Sequence, residues 1–500
     1  MSIPFSNQAL NGIYPLIDGV QALAMRCALT RDAKTQLDLQ YYALEPGLSS
    51  RLLVLEIVKA ANRGVRVRIL LDDMDTLNFD QQISLLNTHP NIEVCVFNPV
   101  RQFRNNLFTR SLMFLWTLKT SHRRMHNKLW IADQTLGIIG GRNLADRYFN
   151  ASETSNFSDL DVLLEGPVIA KMHSDFETYW HSEHTLPIHT FKPNPINYTV
   201  RNIKKLHAKI ERSTRKFRFK NHPYLKALKE SESCILENAR QGMQWGHIQI
   251  ETDPPSKIDN PPTHANISLK KCRDHSKLSL TPVFNQFVKI IRNTKEELIL
   301  INPYFAPGEE FTALLESLCH KGCKIIIITN SLEGNDVPII NAHYDIYRNR
   351  LLDAGVSIHE LRAKPLLSKN TPIWHKPIFR WKRSRIALHS KAMISDGRCC
   401  FVGSMNLDPR SILWNTETGA FIHQTDIAQQ LRTLALSALD TRYCYKLIRN
   451  AENQINWITS VSKRRQGKRH FQLTVLHSEP GNWLRKLQKM LGRFLPERYL

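Results

Sequence analysis

Two stretches of this chain carry the same residues at the same spacing. They are His126, Lys128, Asp133, Gly140 and Asn143, and then, 263 positions later, His389, Lys391, Asp396, Gly403 and Asn406. With about one match in twenty at each fixed position, one copy of HxKxxxxDxxxxxxGxxN arises by chance in a chain of this length with odds on the order of one in several thousand. Two copies are far rarer. Imidazole titrates near neutrality and serves as nucleophile, acid or base, while ammonium and amide groups hold phosphoryl oxygens. A strand puts His126 and Lys128 on one face and Asn127 and Leu129 on the other. Between Asp133 and Gly140 there is room for a turn and a returning strand over Leu136–Ile139, and the glycines let Asn143 approach the same pocket. Two such half-sites facing each other supply two histidines, two ammonium groups and two amides around one tetrahedral phosphate, which is a phosphoryl-transfer site. A lone strand histidine usually serves the core or the surface, a reading that the duplicate overturns. Lysine is a poor neighbour for a cation, and neither copy has a second ligand at i+2 or i+4, so no metal is expected.

The elements that must position these residues are also duplicated. In the first half the run Leu37-Asp-Leu-Gln-Tyr-Tyr42 predicts a strand, the amphipathic stretch Arg51–Arg63 a helix stopped at Gly64, and Val65–Leu71 a second strand. In the second half Leu298–Tyr304, a helix near Glu310–His320, a Gly322 stop and Lys324–Thr329 repeat that order. The spacing predicts α/β layers, with ligands near the carboxyl ends of the strands. Four segments follow: a first domain over 1–190, a basic and proline-containing junction over 191–275, a second domain over 276–445, and a basic C-terminal extension over 446–500 that packs on the core or on a membrane.

Apolar residues make up 42% of the chain and charged residues 23%, which excludes a disordered or fibrous protein. The net charge of +23 favours polyanionic partners such as nucleic acid, anionic lipid head groups or phosphorylated substrates. Nine thinly spread cysteines make a poor disulfide framework and read as reduced thiols. No secretory signal and no transmembrane span is visible; the apolar run Ser111–Leu118 is too short to cross a bilayer. Residues 201–230 carry eleven Lys/Arg against two Glu, a pattern that fits either a solvated face or a surface meeting anionic membrane. The C-terminal end, from Lys463-Arg-Arg to Trp483-Leu-Arg-Lys-Leu and Phe494, mixes basic and apolar residues, as an interfacial helix or a core-packed one would.

With these motifs in view the chain resembles the phospholipase D superfamily, whose HxKxxxxD motif is intact in both copies. Within it the match is closest to bacterial cardiolipin synthases of the class C type. It runs through Gly64–Asp73, Arg124–Lys128, Gly140-Gly-Arg-Asn143, Asp159-Leu-Asp161, Tyr304–Gly308, Thr329–Leu332, Gly403–Ser411 and Asn415-Thr-Glu417. The chain departs from that pattern in the charged segment 201–230 and at Asn341-Ala-His343, where a histidine followed two positions later by glycine is expected.

The resemblance implies two tandem phospholipase D-like α/β/α sandwich domains packed around one shared active site. It implies that His126 attacks phosphorus to give a phosphohistidine, while His389 acts as acid and then base. Lys128, Lys391, Asn143 and Asn406, with Ser404 beside them, would hold the phosphoryl oxygens without a cofactor. Asp159 and Glu417, some thirty positions beyond each histidine, would orient the imidazoles, and Asp133 and Asp396 complete the catalytic set as supports. The expected activity is transfer of a phosphatidyl group to phosphatidylglycerol, making cardiolipin at the cytoplasmic side of the bacterial inner membrane by a peripheral enzyme with no foreseeable protein partner. A hydrolytic phospholipase D is the alternative. A nucleic-acid phosphodiesterase would need base-stacking aromatics that cannot be located, and a silent lipid-binding scaffold conflicts with two intact motifs.

Overall fold

Gly64 and Gly322 close equivalent turns. The helix Leu48–Asn62 ends in a turn where Gly64 takes φ +98°, and the helix Gly308–His320 ends where Gly322 takes φ +89°. That backbone region is open to glycine and strained for most other residues. The amides of Val65 and Cys323 reach back to Ala60 and Leu318, at 3.2 and 3.0 Å, and the chain leaves each helix directly into a strand. The computed structural model describes residues 9–73, 80–99, 123–190, 208, 223–259, 261, 281–367, 371–372, 385–465 and 468–495. The apolar run Ser111–Leu118 and most of the basic run 201–222 lie outside the described residues. Among the described residues, no helix is long and apolar enough to cross a membrane.

The chain forms two units, and each takes a short stretch from the other half of the sequence. Unit 1 comprises Met1–Ala151, Asp161–Pro261 and Trp414–Ala420; unit 2 comprises Ser152–Leu160, Pro262–Leu413 and Phe421–Leu500. This division differs from the four consecutive segments drawn in the sequence. In particular, residues 223–259 of the expected junction fold as two helices and the strand Gln244–Thr252, which pairs with Asn11–Leu16 of unit 1. Alternation of buried and half-buried positions along that strand lets it cover an edge, a job that the proline pairs beside it conceal.

The unit 1 sheet contains a parallel centre, Gln36–Tyr41 beside Arg66–Asp72 beside Ile92–Phe97, as the βαβ reading requires. Antiparallel to its first strand runs Leu129–Ala132, then Leu136–Gly140, then Asp161–Glu165. Unit 2 repeats this plan with Glu297–Ile301, Lys324–Asn330 and Ser357–Leu361 in parallel, Ala392–Ser395 antiparallel to the first, and Cys399–Gly403 antiparallel to Ala392–Ser395. Its core is Leu298, Leu300, Ile325, Ile327, Ile358 and Phe401 packed under Phe287, Phe311 and Leu315 from the helices. The described cysteines are unpaired and mostly buried.

The third motif residue explains how the antiparallel strand pairs are locked. Asp133, at φ +50°, accepts the backbone N–H groups of Lys34, Thr35 and Gln36 at 2.8 to 3.0 Å and the Thr35 hydroxyl at 2.9 Å. Asp396, also at φ +50°, does the same for Lys295, Glu296 and Glu297. In each unit the aspartate ties the turn to the start of the first parallel strand. Burial alone would raise the Asp133 pKa, but the backbone donors outweigh it and hold the carboxylate below its usual range.

Candidate active site

His126 and Lys128 sit in an extended link just before the strand Leu129–Ala132 rather than within it, and His389 and Lys391 sit in the matching link between Arg385–Leu388 and Ala392–Ser395. The expected alternation survives in these links. Each lysine folds back on its own histidine, with Nζ donating to the carbonyl of His126 or His389 at 2.6 Å. The residue between faces the other way: Asn127 accepts the Thr416 hydroxyl at 2.8 Å, and the Ser390 hydroxyl donates to the Ser158 carbonyl at 3.1 Å. Those contacts anchor the borrowed stretches, 414–420 in unit 1 and 152–160 in unit 2.

The borrowed stretches deliver the orienting carboxylates. In unit 1, Nδ1 of His126 lies 2.9 and 3.1 Å from the two oxygens of the fully buried Glu417. In unit 2, Nδ1 of His389 lies 2.7 Å from Asp159. Each histidine therefore takes its carboxylate from the stretch that follows the other histidine in sequence. A carboxylate on Nδ1 fixes the tautomer with the proton there and the lone pair on Nε2, where a reacting phosphorus would be met. Burial, and then the Lys391 ammonium 3.0 and 3.2 Å from the ring nitrogens, push the His389 pKa down to about 4 against the pull of Asp159. His389 is accordingly neutral at pH 7, whereas the acid role foreseen for it needs a proton.

An aromatic ring stands at the same place in each unit. Tyr42 meets the His126 imidazole edge-on at 5.1 Å between centroids, with Lys128 Nζ 5.6 Å from the same ring. Tyr304 meets His389 at 6.3 Å, with Lys391 Nζ 5.9 Å from its ring. Phe157 adds a second ring 5.0 Å from His389. These tyrosines belong to motifs visible in the sequence, and their offsets of 84 and 85 residues before each histidine could have singled them out.

Asn143 and Asn406 also hold equivalent places. Leu144 pairs through its backbone with Ala43 and Glu45, next to Tyr42, and Leu407 pairs with Ala306, two residues past Tyr304. Asn143 is buried with Nδ2 donating to the Tyr148 hydroxyl at 3.0 Å, and among the described residues neither its Oδ1 nor that of buried Asn406 has a partner. Ser404 is fully buried just past the strand Cys399–Gly403. Asp133 and Asp396, expected as supports within the catalytic set, bind the backbone at their strand starts.

Sequence reading missed the pair behind Glu417. The Asp253 carboxylate accepts the Glu417 amide at 3.2 Å and the Lys257 ammonium at 2.7 Å, while the Asp253 amide donates to the Glu417 carbonyl at 2.9 Å. Asp161, two residues after Asp159, serves the other unit: it pairs in the core with Arg26 at 2.8 Å and Arg142 at 3.3 Å. Among the described residues one trio of ligand-type side chains, Glu183, His184 and Asp259, has donor atoms within 4.8 Å of one another, and it includes no motif residue.

A duplicated α/β unit with a carboxylate-oriented histidine and a lysine in each copy defines a class, the phospholipase D-like enzymes. The chain belongs to the family described as cardiolipin synthase, PLD-like domain, whose model matches residues 27–180 and 287–437. It is 33% identical to cardiolipin synthase C of Escherichia coli strain K12 over 98% of this chain and 96% of that protein. It is 22% identical to cardiolipin synthase B of the same strain over 75% of this chain and 68% of that one. The crystal structure of phosphatidylserine synthase from Haemophilus influenzae Rd KW20 shares the fold, with a TM-score of 0.54 at 12% identity and 87% of each chain covered. Family membership makes this chain a bacterial phosphatidyltransferase-type enzyme of phospholipid metabolism.

Proposed function

We propose that the chain makes cardiolipin by passing the phosphatidyl group of one phospholipid through a histidine to a glycerol hydroxyl of phosphatidylglycerol. The observation that carries this reading is the matched pair of buried carboxylate–imidazole–lysine stations, one per unit, built on the same motif. Two stations of one kind suit a reaction with two displacements at one phosphorus. In the first, Nε2 of His126 forms the N–P bond as the P–O bond to the leaving alcohol breaks, and His389 gives that oxygen a proton. In the second, His389 takes the proton of the incoming hydroxyl, whose oxygen displaces His126. Lys128 and Lys391 neutralise the phosphoryl oxygens, a role that metal ions fill in other phosphoryl-transfer enzymes. Asn143 joins them through its amide nitrogen, one N–H of which is given to Tyr148 while the second can meet a phosphoryl oxygen.

The neutral His389 of the free chain fits this cycle if the substrate brings the proton's stabilisation. A phosphodiester carries one negative charge, which offsets the Lys391 ammonium that depresses the imidazole pKa. The substrates are phospholipids, and the enzyme works peripherally at the anionic cytoplasmic face of the inner membrane. Incubating purified protein with labelled phosphatidylglycerol, with and without phosphatidylethanolamine, and resolving the products tests the reading. Labelled cardiolipin is expected. Phosphatidic acid alone would replace the transferase by a hydrolase with the same stations.

A further inference from the structure

The last twenty-five described residues carry an inside-out helix. Helix Trp483–Gly492, capped by the Asn482 side chain, turns its polar face to the protein. Arg485 donates to the carbonyls of Leu332 and Asn335, Lys489 is buried in ion pairs with Asp345 and Glu479, and a side chain at Gly492 would meet the Ile339 carbonyl at 2.6 Å. His343 stands 3.2 Å from the Gly492 carbonyl. The opposite face is apolar: Trp483, Leu484, Leu487, Met490, Leu491 and, just beyond the helix, Phe494 are all exposed, Trp483 by 75% and Phe494 by 81%. Ten of the fourteen exposed large apolar side chains among the described residues lie between Phe471 and Leu495. Phe471, Leu473 and Val475 lie on one face of the strand Lys468–Leu476.

Charge identifies what covers this face. Residues 480–495 hold Arg485, Lys486, Lys489 and Arg493 and no acid, and the tip of the preceding hairpin has Lys463, Arg464, Arg465, Lys468 and Arg469 within seven positions. A second copy would bring the same positive charge against it. An anionic lipid surface complements it and accepts the apolar side chains as well. At ten residues, roughly 15 Å of helix, the element is too short to span the bilayer. We propose that helix Trp483–Gly492 with Phe494, preceded in the chain by the basic hairpin, seats the protein in the interface of an anionic bilayer, lying along it. This rests on the membrane part of the reading above and not on its chemistry.

The test uses sucrose-loaded vesicles of phosphatidylglycerol or of phosphatidylcholine at physiological salt and the full chain. Trp483→Ser/Leu487→Ser/Phe494→Ser touches only exposed positions, so its melting midpoint should match the parent, and its partition onto phosphatidylglycerol vesicles should fall about tenfold or more. Lys486→Glu/Arg493→Glu should weaken binding to phosphatidylglycerol much more than to phosphatidylcholine. Unchanged co-sedimentation of the triple variant overturns the proposal. So does a parent dimer that the triple variant converts to monomer with vesicle binding intact, since the face would then belong to a second copy. Helix-dependent binding by a parent that makes no cardiolipin upholds the seat and removes only the proposed reaction.

Discussion

Asp159 holds Nδ1 of His389 at 2.7 Å from 230 positions earlier in the chain, and Glu417 holds Nδ1 of His126 from 291 positions later. The two orienting pairs thus cross between the sequence halves while each stays inside one structural unit. Since both carboxylates do the same job, Asp159→Asn and Glu417→Gln should each leave KM nearly unchanged and cut kcat about 10²–10⁴-fold, as removal of a charge that fixes a histidine tautomer does. Steady-state kinetics on mixed micelles measures this, and a kcat within threefold of the parent for either variant would remove that carboxylate from the mechanism.

Asp133 should behave differently. Its carboxylate binds three backbone N–H groups at a strand start, so Asp133→Ala should cost about 1–3 kcal/mol of stability while the folded enzyme keeps its pH optimum. Because the folded pKa is depressed, this contribution is present above the unfolded value near 4 and is lost as pH falls through the lower folded one. Thermal melts from pH 3 to 7 on parent and variant should converge at the acid end. A variant that melts like the parent but has no turnover would return Asp133 to the chemistry.

His389 gives the opposite acid signature from a surface histidine. Its folded pKa, near 4, lies below the unfolded value near 6.5, so its contribution to stability is complete above pH 6.5 and declines as pH falls toward 4. Lys391→Met removes the second cause of that depression and should move the imidazole titration upward, as ring-proton resonances would report. A titration unmoved by the substitution would mean that burial alone sets the value.

The two histidine roles separate in a lipid whose head group leaves without a proton. His389→Ala should release one equivalent of that group in a burst and then stall, with a phosphatidyl adduct on the peptide spanning Met125–Lys128. His126→Ala should give neither. An adduct on His389 in the His126 variant would exchange the assignments.

If Lys128 and Lys391 supply the positive charge at the phosphate, as proposed, turnover should survive EDTA. A loss in chelator that magnesium, calcium or zinc restores would bring a metal into the reaction.

The βαβ frame and both histidine–lysine pairs were legible because they depend on local chemistry: strand alternation, a glycine stop, and a motif repeated at fixed spacing. The match between helix Leu48–Asn62 and the expected Arg51–Arg63 reflects that locality. What could not be read was long-range. Nothing in the composition of Asp159-Leu-Asp161 says that its first aspartate serves one unit and its second the other. The stretch before Pro254-Pro255 read as a junction because prolines interrupt it, yet its Asp253 props Glu417 through contacts 164 residues apart. The C-terminal helix looked the same from either reading, since periodicity reveals that a helix has two faces and only packing shows which one turns outward.

The borrowed stretch 414–420 also sets a timetable. His126 leaves the ribosome long before Glu417, and at 5–20 residues per second the 291 intervening residues take roughly 15–60 s to synthesise. Throughout that interval the nascent chain carries a histidine with no carboxylate to aim it, and a transcript broken anywhere upstream of codon 417 yields a polypeptide whose first station lacks its carboxylate. The first station, although it opens with the earlier motif, is thus finished only after the second motif has been made.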